Sequence, residues 1–500
     1  MTQLRTATIS SASRHTAVPA YDRTAVSPGI VHIGVGGFHR AHQAAYLDSL
    51  LAADAGARSF GISGISLLPQ DRRIVEVMND QDCLYTLLVR HSDGSIEPRV
   101  IGSIVEHLFA PDDPERVLTR MADPATRIVS LTITEGGYFY RAAHDQIDMD
   151  APDLEHDRTS PSAPRTAFGY IIEALRRRTA RGTPPFTVLS CDNVHANGDV
   201  ARRVVVALAT AQNRALGEWI ESNVGFPNSM VDRITPRTSD SDIEAAAAAT
   251  GLTDAWPVAC EPFAQWVIED RFTDRRPAWE LVGAQFVTDV RPYELMKMRI
   301  LNAGHQTISY AGRLLGHRYG HQSSTDPVIG ALLDRYTRTE AATTLPDVAG
   351  IDVDAYCTTI AERFANRQIR DTITRLTSQS STSLPSFVLP VIRDLLDRGR
   401  PAPAATAVVA AWARFLEGVD DAGRRYEVDD ARSADLCARA ARHDDDLLAV
   451  IRGNPLFHGL EGRPEFERPY ADTLRDIRTA GTRAALTSVL GPTGPAVRGR

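Results

Sequence analysis

A short apolar segment that ends in glycines and runs into a helical pattern sets the class of fold. Residues 29–37 read GIVHIGVGG, and residues 41–52, AHQAAYLDSLLA, space their apolar side chains as a helix does. A buried strand, a tight glycine turn and a helix, in that order, begin a βαβ unit. We therefore predict a parallel sheet covered by helices in this part of the chain.

The same alternation continues through the first half of the sequence. Further strands are predicted at 59–68 and 126–134 and in FTVLSCDNV, a hairpin is predicted at 83–105 with its turn at Asp93-Gly94, and an irregular surface loop is predicted at 145–164. From about Pro292 the pattern changes to helices, which are predicted at 293–316, 326–336, 353–366, 385–398, 404–417 and 430–452. The prediction is an α/β N-terminal domain with a mostly parallel sheet, residues 1–290, followed by an all-α C-terminal domain, residues 291–500.

Composition excludes several classes of protein. Hydrophobic residues make up 43% of the 500 and charged residues 24%, which is typical of a soluble globular chain. A net charge of −8 argues against nucleic-acid or anionic-membrane partners, and no apolar run is long enough to span a bilayer. The five scattered cysteines form no CxxC pair, so neither a disulfide framework nor a zinc site is expected. We expect a cytoplasmic protein without a bound metal.

The glycine turn GVGGFHRAH has two of the three glycines of a dinucleotide-binding turn. Gly34 permits the tight turn, Gly36 lets a pyrophosphate approach the backbone, and the next helix offers its first N–H groups. His39 stands where the third glycine is usual. The alternative interpretation is an ordinary strand-to-helix turn.

An acidic residue after the second strand is the other mark of a dinucleotide site. Asp71, in LLPQDRR, is the candidate for binding the ribose hydroxyls, which favours NAD because a carboxylate repels a 2′-phosphate. The adjacent Arg72 and Arg73 favour NADP instead. The alternative for Asp71 is an exposed loop aspartate.

The segment KMRILNAGHQ, residues 297–306, places polar residues in an apolar helix. At about 100° per residue, Glu294, His305 and Asn302 lie about 60°, 80° and 140° from Lys297, so these residues share a face. Arg299, at about 200°, points elsewhere and is interpreted as structural or interdomain. One interpretation of the shared face is a buried Lys297–Glu294 ion pair.

The other interpretation of this face is catalytic. A lysine whose pKa is lowered by burial can act as a general base near neutral pH, and an asparagine amide can stabilise an alkoxide. Oxidation of an alcohol by hydride transfer needs these groups and a nicotinamide, and needs no metal. Asn193 in SCDNVHANGD and Glu135 in TITEGGY follow predicted strands, at the edge where open α/β sheets bind ligands.

Five motifs together resemble the mannitol dehydrogenase family of polyol-specific long-chain dehydrogenases. They are GVGGFHRAH, SLTITEGGY, SCDNVHANG, CEPFAQWVIED and YELMKMRILNAGH, in family order over about residues 30–400. The resemblance implies an N-terminal Rossmann-type domain, a mostly helical C-terminal domain, a metal-independent NAD-linked reaction, and a monomer or weak homo-oligomer.

The resemblance also assigns roles to residues. It implies Lys297 as general acid/base, Asn193 and Asn302 as oxyanion donors, and His305 as a residue that orients the substrate. It places Glu294 in proton exchange with solvent and Glu135 in the loop beside the active site. The remaining residues it implies are the substrate contacts Asp232 and Arg375 and the cofactor-binding residues Gly34, Gly36, Gly37, Phe38 and Asp71.

One departure concerns the substrate. Mannitol-specific members carry a lysine shortly before LP, where this chain has Ser383. The resulting hypothesis is an NAD-dependent polyol 2-dehydrogenase that interconverts D-mannitol and D-fructose, or D-arabinitol and D-xylulose. The alternatives are a hexuronate reductase acting on fructuronate or tagaturonate, a hydroxyacid or phosphosugar dehydrogenase, and a nucleotide sensor without turnover.

Overall fold

A computed structural model describes residues 2–141 and 146–491. The chain divides between Arg291 and Pro292 into two compact units. The first unit combines strands and helices, and the second is built of helices. The predicted fold class, an α/β domain followed by a helical one, is confirmed.

The N-terminal unit contains both strands and helices. Its strands are β1 (Thr2–Gln3), β2 (Pro28–Ile33), β3 (Gly61–Ser66), β4 (Tyr85–Arg90), β5 (Ile96–Ile101), β6 (Ile104–Phe109), β7 (Ile128–Leu131), β8 (Tyr140–Arg141), β9 (Gln146–Ile147), β10 (Thr187–Ser190), β11 (Ser229–Asp232), β12 (Leu252–Thr253), β13 (Val258–Cys260), β14 (Gln265–Glu269) and β15 (Gln285–Val287). Its helices are α1 (Gly37–Ala41), α2 (Gln43–Ala53), α3 (Arg72–Asp80), α4 (Pro114–Ala122), α5 (Pro152–Thr159), α6 (Ala167–Ala180), α7 (Asn197–Gln212), α8 (Arg214–Asn223) and α9 (Asp240–Thr250).

The central sheet of this unit is parallel, in the order β10-β7-β2-β3-β6. Its strands are almost wholly buried, because helices cover both faces and leave no polar side to the sheet. After β2 the chain forms β3 on one side of that strand, and it later forms β7 on the other side. Ligands bind at such a reversal, beyond the carboxyl ends of the strands.

Two three-stranded sheets extend this unit, in addition to the two-stranded pairs β1–β12 and β8–β9. The predicted hairpin is confirmed as the antiparallel pair β4–β5, with β13 added in parallel beside β4. Its predicted end was wrong, because Ile104 already begins β6 and joins the parallel sheet. The other three-stranded sheet has the order β11-β14-β15, and its strand β11 ends at Asp232.

The prediction of an irregular loop at 145–164 is wrong for its middle part, and residue 145 lies outside the described residues. The helix α5 forms there because Asp157, fully buried, anchors it to the start of α6. The Asp157 carboxylate accepts hydrogen bonds from the Arg165 and Thr166 N–H groups, at 2.7 and 3.0 Å, and from the Thr166 hydroxyl. This contact joins residues eight and nine positions apart.

The C-terminal unit is a helical assembly around α11. Its α-helices are α10 (Arg291–Met296), α11 (Ala303–Leu314), α12 (Gly320–Ser324), α13 (Pro327–Arg335), α14 (Val353–Ala365), α15 (Ile373–Thr377), α16 (Ser380–Phe387), α17 (Leu389–Asp397), α18 (Pro403–Phe415), α19 (Ser433–Ala440), α20 (Pro464–Ala480) and α21 (Thr482–Leu490). Helix α11 packs against α12, α13, α15 and α18. In the part of the chain that the structure describes, no helix combines the length and apolar composition needed to cross a bilayer.

Candidate active site

The glycine turn after β2 requires glycine at position 34 for two reasons. Gly34 has φ +98°, which L side chains rarely adopt, and a Cβ there would lie 2.1 Å from the Thr132 carbonyl oxygen. Gly36 follows in extended conformation and precedes α1, which begins at Gly37. The first N–H groups of α1 therefore have no partner within the helix.

His39, which stands where the third glycine is usual, stacks on a second histidine, His32. Its ring lies on that of His32 in β2, with centroids 3.4 Å apart and planes 11° apart. Burial lowers the pKa of His32 to about 3 and that of His39 well below 6.5, so both rings are neutral at pH 7. Strand and helix thus pack through two flat neutral rings, and position 39 needs no glycine.

A cavity of about 350 Å³ opens at the carboxyl ends of β2, β3 and β7. It is lined by Gly34 and Gly36, by residues 66–68, by residues 132–134 and by Asp71. Asp153 and Arg165, at the two ends of the segment that contains α5, also line it. This segment, which the sequence indicated only as a loop, therefore forms part of the cavity wall.

The Asp71 carboxylate stands at this wall. Burial raises its pKa, and a backbone hydrogen bond from Leu68 offsets part of that rise. The neighbouring Arg72 is held by Asp112, at 2.6 and 3.0 Å, and lies over the Phe109 ring, while Arg73 lies over Trp256. A carboxylate that neither neighbouring arginine engages fits the ribose hydroxyls of NAD.

Gly37 and Phe38 were also predicted to bind the cofactor. Gly37 begins α1, where a Cβ would approach only the Thr235 side chain, at 3.7 Å. The Phe38 ring stacks on His42, 4.9 Å between centroids, at the edge of the core. Their role in cofactor binding stays a prediction.

Glu135 and Asn193 follow neighbouring strands of the central sheet, β7 and β10. Between them lies a buried residue that sequence reasoning missed, Asp192, whose carboxylate accepts hydrogen bonds from the Ile133 and Thr134 N–H groups, at 3.0 and 2.8 Å. Asp192 therefore joins the two strand ends. Only its position next to Asn193 could have indicated it in the sequence.

The loop after β7 stores backbone strain. Thr134 has φ 62° and ψ 166°, a conformation that costs a non-glycine residue about 1–3 kcal/mol. Phe139, at the end of the same loop, is left-handed with φ 51°. Strain of this kind persists only where the surrounding structure holds it.

In the C-terminal unit, Lys297 begins a π-helical turn, Lys297–Asn302, between α10 and α11. The Ala303 N–H donates to the Met298 carbonyl oxygen, five residues back. The predicted helix is confirmed, but its regular 100° geometry was wrong here. Because a π turn takes up one extra residue, it rotates the later residues of the helix back by about 100°, to about 40° from Lys297 for Asn302 and about −20° for His305.

The π turn thus aligns these three side chains more closely than a regular helix would. Lys297 is 7% exposed and Glu294 5%, so the start of the turn is buried. The Asn302 amide nitrogen is buried and has no hydrogen-bond partner within the described ranges. His305 packs on the Phe364 ring, 4.3 Å between centroids. One π turn therefore carries both a buried lysine and a buried amide donor.

Three other residues of this unit are placed by their contacts. Arg299 donates to the Asp394 carboxylate at 2.7 Å and to the Thr344 carbonyl oxygen, both within the unit, which agrees with a structural role. Arg375, on α15, forms an ion pair with Asp371 through two of its nitrogens. A guanidinium has five N–H groups, so others remain to bind a substrate hydroxyl. Ser383 donates to the Gln379 carbonyl oxygen on α16.

The composition of the chain also points to Lys297 as the base, which the motifs alone did not show. The chain has 55 lysines and arginines together, and Lys297 is the only lysine. Arginine stays protonated in proteins, whereas lysine can lose its proton when its surroundings favour the neutral amine. A chain that otherwise uses arginine for positive charge has its one lysine at the start of a buried π turn.

Comparisons with known proteins agree with both units. The mannitol dehydrogenase Rossmann domain model matches residues 28–281, and the mannitol dehydrogenase C-terminal domain model matches 289–478. Mannitol 2-dehydrogenase of Pyricularia oryzae is 42% identical over 475 residues, 94% of either chain.

Two solved structures are similar over nearly the whole chain. Pseudomonas fluorescens mannitol 2-dehydrogenase, in ternary complex with NAD and D-mannitol, is 39% identical with a TM-score of 0.89, covering 98% of this chain and 100% of that one. A substrate-free D-sorbitol dehydrogenase is 35% identical with a TM-score of 0.88, covering 97% and 100%.

The Rossmann-type sheet, the cavity at its carboxyl edge and the matched relatives together define an NAD-dependent secondary-alcohol dehydrogenase. Family models cover most of the chain, and relatives above 30% identity align with nearly all of it. The chain belongs to the mannitol dehydrogenase family.

Proposed function

We propose that this chain oxidises the C2 hydroxyl of D-mannitol to give D-fructose, or the C4 hydroxyl of D-arabinitol to give D-xylulose, and reduces these ketoses in the reverse direction. The mannitol 2-dehydrogenase names of its relatives and the D-mannitol in one similar structure support this substrate class. The observation that carries the chemistry is the only lysine of the chain, buried on the same π turn as an amide nitrogen that has no hydrogen-bond partner in the described residues.

The C-terminal unit supplies the proton acceptor in this proposal. The Lys297 amine, when neutral, takes the proton of the C2 hydroxyl, and the Asn302 amide donates to the oxygen as negative charge develops on it. His305 orients the same oxygen, and Glu294, three residues before the lysine, passes the proton on towards solvent. Arg375 binds hydroxyls farther along the carbon chain with its free N–H groups.

The N-terminal unit supplies the cofactor site and further polar groups. When bound, NAD supplies the nicotinamide that accepts the hydride from C2. The turn at Gly34, Gly36 and Gly37, with Phe38, holds the cofactor, and Asp71 accepts hydrogen bonds from its ribose hydroxyls. Asn193 donates to the reacting oxygen, Glu135 lies beside the site, and Asp232 binds a substrate hydroxyl. We propose that these side chains need no metal, so EDTA leaves the rate unchanged.

Substrate choice is tested by NADH formation with mannitol, arabinitol, sorbitol and xylitol, and by NADH consumption with fructose, xylulose and fructuronate. We expect turnover with mannitol or arabinitol and with the matching ketose. Turnover confined to fructuronate would favour the hexuronate alternative, and binding of NADH without any turnover would favour a sensor.

Lys297→Arg tests the base, because it keeps the positive charge and removes the titratable amine. We expect kcat to fall by about 10²–10⁴-fold while the Kd for NADH stays within twofold. Arg299→Lys, two residues along the same π turn, is the matched control and should keep most of the activity. A Lys297→Arg variant with near-normal kcat would remove lysine from the mechanism.

A further inference from the structure

We propose that Asp192 is a positioning residue, one that fixes the Glu135 loop, residues 133–138, and the start of the segment that carries Asn193. The proposal deepens the function given above and rests on it for its kinetic consequences. Its structural basis is a set of hydrogen bonds within the N-terminal unit that converge on one buried carboxylate.

The carboxylate of Asp192 is used almost entirely as an acceptor for this loop. Besides the Ile133 and Thr134 N–H groups, it accepts from the Tyr138 hydroxyl at 2.7 Å. The side chain is 8% exposed, and no arginine or histidine pairs with it in the described parts of the chain. Both ends of the loop are therefore held by one group that lies more than fifty residues away in sequence.

The loop needs such an anchor because its conformation is strained. Thr134, whose N–H is one of the donors, has a positive φ, and Phe139 just beyond the loop is left-handed. Tyr138 is 1% exposed, and its hydroxyl also contacts the Ser190 hydroxyl at 2.6 Å. Without the carboxylate, the two part-buried N–H groups would lose their acceptor and the loop could relax to an unstrained conformation.

The backbone of Asp192 is itself held by Asn197 at the start of α7. The Asn197 amide nitrogen donates to the Asp192 carbonyl oxygen at 3.0 Å and to the Ser229 carbonyl oxygen at 2.8 Å. Its amide oxygen accepts from the Ser229 N–H at 2.9 Å. Ser229 begins β11, the strand that ends at Asp232. One network thus connects the strand ends that precede Glu135 and Asn193 to the start of β11, three residues before Asp232.

The same carboxylate acts on Glu135 through its charge. Burial of the Glu135 carboxyl group and, second, the negative charge of Asp192 raise the pKa of Glu135. No hydrogen bond from residues 2–141 and 146–491 to the Glu135 carboxylate offsets this effect. Removing the charge at Asp192 should lower the pKa of Glu135.

Asp192→Asn tests the proposal, because it keeps the size of the side chain, removes the charge and turns an amide nitrogen towards a backbone N–H. We expect kcat for polyol oxidation to fall about 10²-fold, with little change in the Kd for NADH. One limb of the wild-type pH–rate profile should be absent in Glu135→Gln and therefore report on Glu135. In Asp192→Asn, this limb should move to lower pH. Amide hydrogen exchange, read by mass spectrometry, should accelerate in the peptide containing residues 131–139.

Asp254→Asn is the matched control. Asp254 is fully buried in the same unit, and its carboxylate accepts from the Thr86 and Trp256 N–H groups and from the Gln81 amide. Its substitution should lower the melting temperature comparably but leave the pH profile and the exchange of residues 131–139 unchanged.

The outcomes separate this proposal from the proposed function. If wild-type protein oxidises no polyol, the proposed function fails, and the exchange measurement alone decides the role of Asp192. Unchanged exchange at 131–139 in Asp192→Asn would overturn the proposal. A lower kcat in Asp192→Asn with no movement of the Glu135 limb of the pH–rate profile would also overturn the proposal, because a general loss of structure explains that result.

Discussion

Replacing Asp71 by alanine should change which nicotinamide nucleotide the protein prefers. The Asp71 side chain lines the cavity and forms no ion pair in the described residues, so we expect its carboxylate to accept hydrogen bonds from the ribose hydroxyls of NAD. Hydrogen bonds to a charged group contribute about 1.5 kcal/mol each at the lower end of the usual range, so losing two costs about 3 kcal/mol. The Kd for NADH should rise about 10²-fold.

NADPH should respond differently to the same substitution. Its 2′-phosphate is repelled by the carboxylate, so Asp71→Ala should leave its binding unchanged or strengthen it, and the NADH preference should fall at least 10²-fold. Adding Asp112→Asn should strengthen NADPH binding further, because Arg72 then loses the carboxylate that holds it. The reduced nucleotides are titrated by fluorescence, with kcat/KM measured for NAD and NADP.

Glu76→Ala provides the control, because Glu76 is an exposed acid on the neighbouring helix α3 and does not line the cavity. It should leave both Kd values within twofold. An unchanged NADH-to-NADPH ratio in Asp71→Ala, or an equal change in Glu76→Ala, would refute the assignment of Asp71 as the ribose-binding acid.

Two further predictions concern stability. Burial lowers the pKa of His32 and of His107 to about 3, so the unfolded chain binds more protons than the folded one below pH 6.5, and stability should fall by about 2 kcal/mol per histidine between pH 6.5 and 5. The free energy of unfolding, measured by urea denaturation at pH 6.5 and pH 5, checks this prediction. An equal loss of stability between the two pH values in His107→Gln would contradict it. Asp157→Ala should lower the free energy of unfolding by about 3–5 kcal/mol, because the donors that bind this carboxylate lose their acceptor. It should also raise the KM for NAD, because α5 then leaves the cavity wall. An unchanged KM would show that α5 takes no part in cofactor binding.

The local order of strands and helices was largely readable from the sequence. The run at residues 29–37, the hairpin at Asp93-Gly94 and the helix at 293–316 each carry their signal in adjacent residues. Helix α20 was missed although Phe466, Tyr470 and Ile477 form its buried face. Its two prolines and charged residues obscured that spacing.

The geometry of the site depends on contacts between distant residues and was not readable. Asp192 meets its donors across 54 to 59 positions, and nothing in the local pattern marks it as more than a turn aspartate. The π turn at Lys297 differs from an α-helix by one hydrogen-bond step, which apolar periodicity does not record. The wheel angles derived for a regular helix therefore underestimated how closely Asn302 and His305 align with the lysine.

The titration of Lys297 tests the central claim most directly. Because the chain has one lysine, protein grown on lysine labelled with ¹³C at Cε gives a single side-chain signal, and Lys297→Arg confirms the assignment by removing it. A general base that works near neutral pH must titrate well below the ordinary lysine pKa of about 10.4. We predict that the signal titrates near neutral pH. A signal that stays protonated to about pH 10 would contradict a catalytic amine at this position.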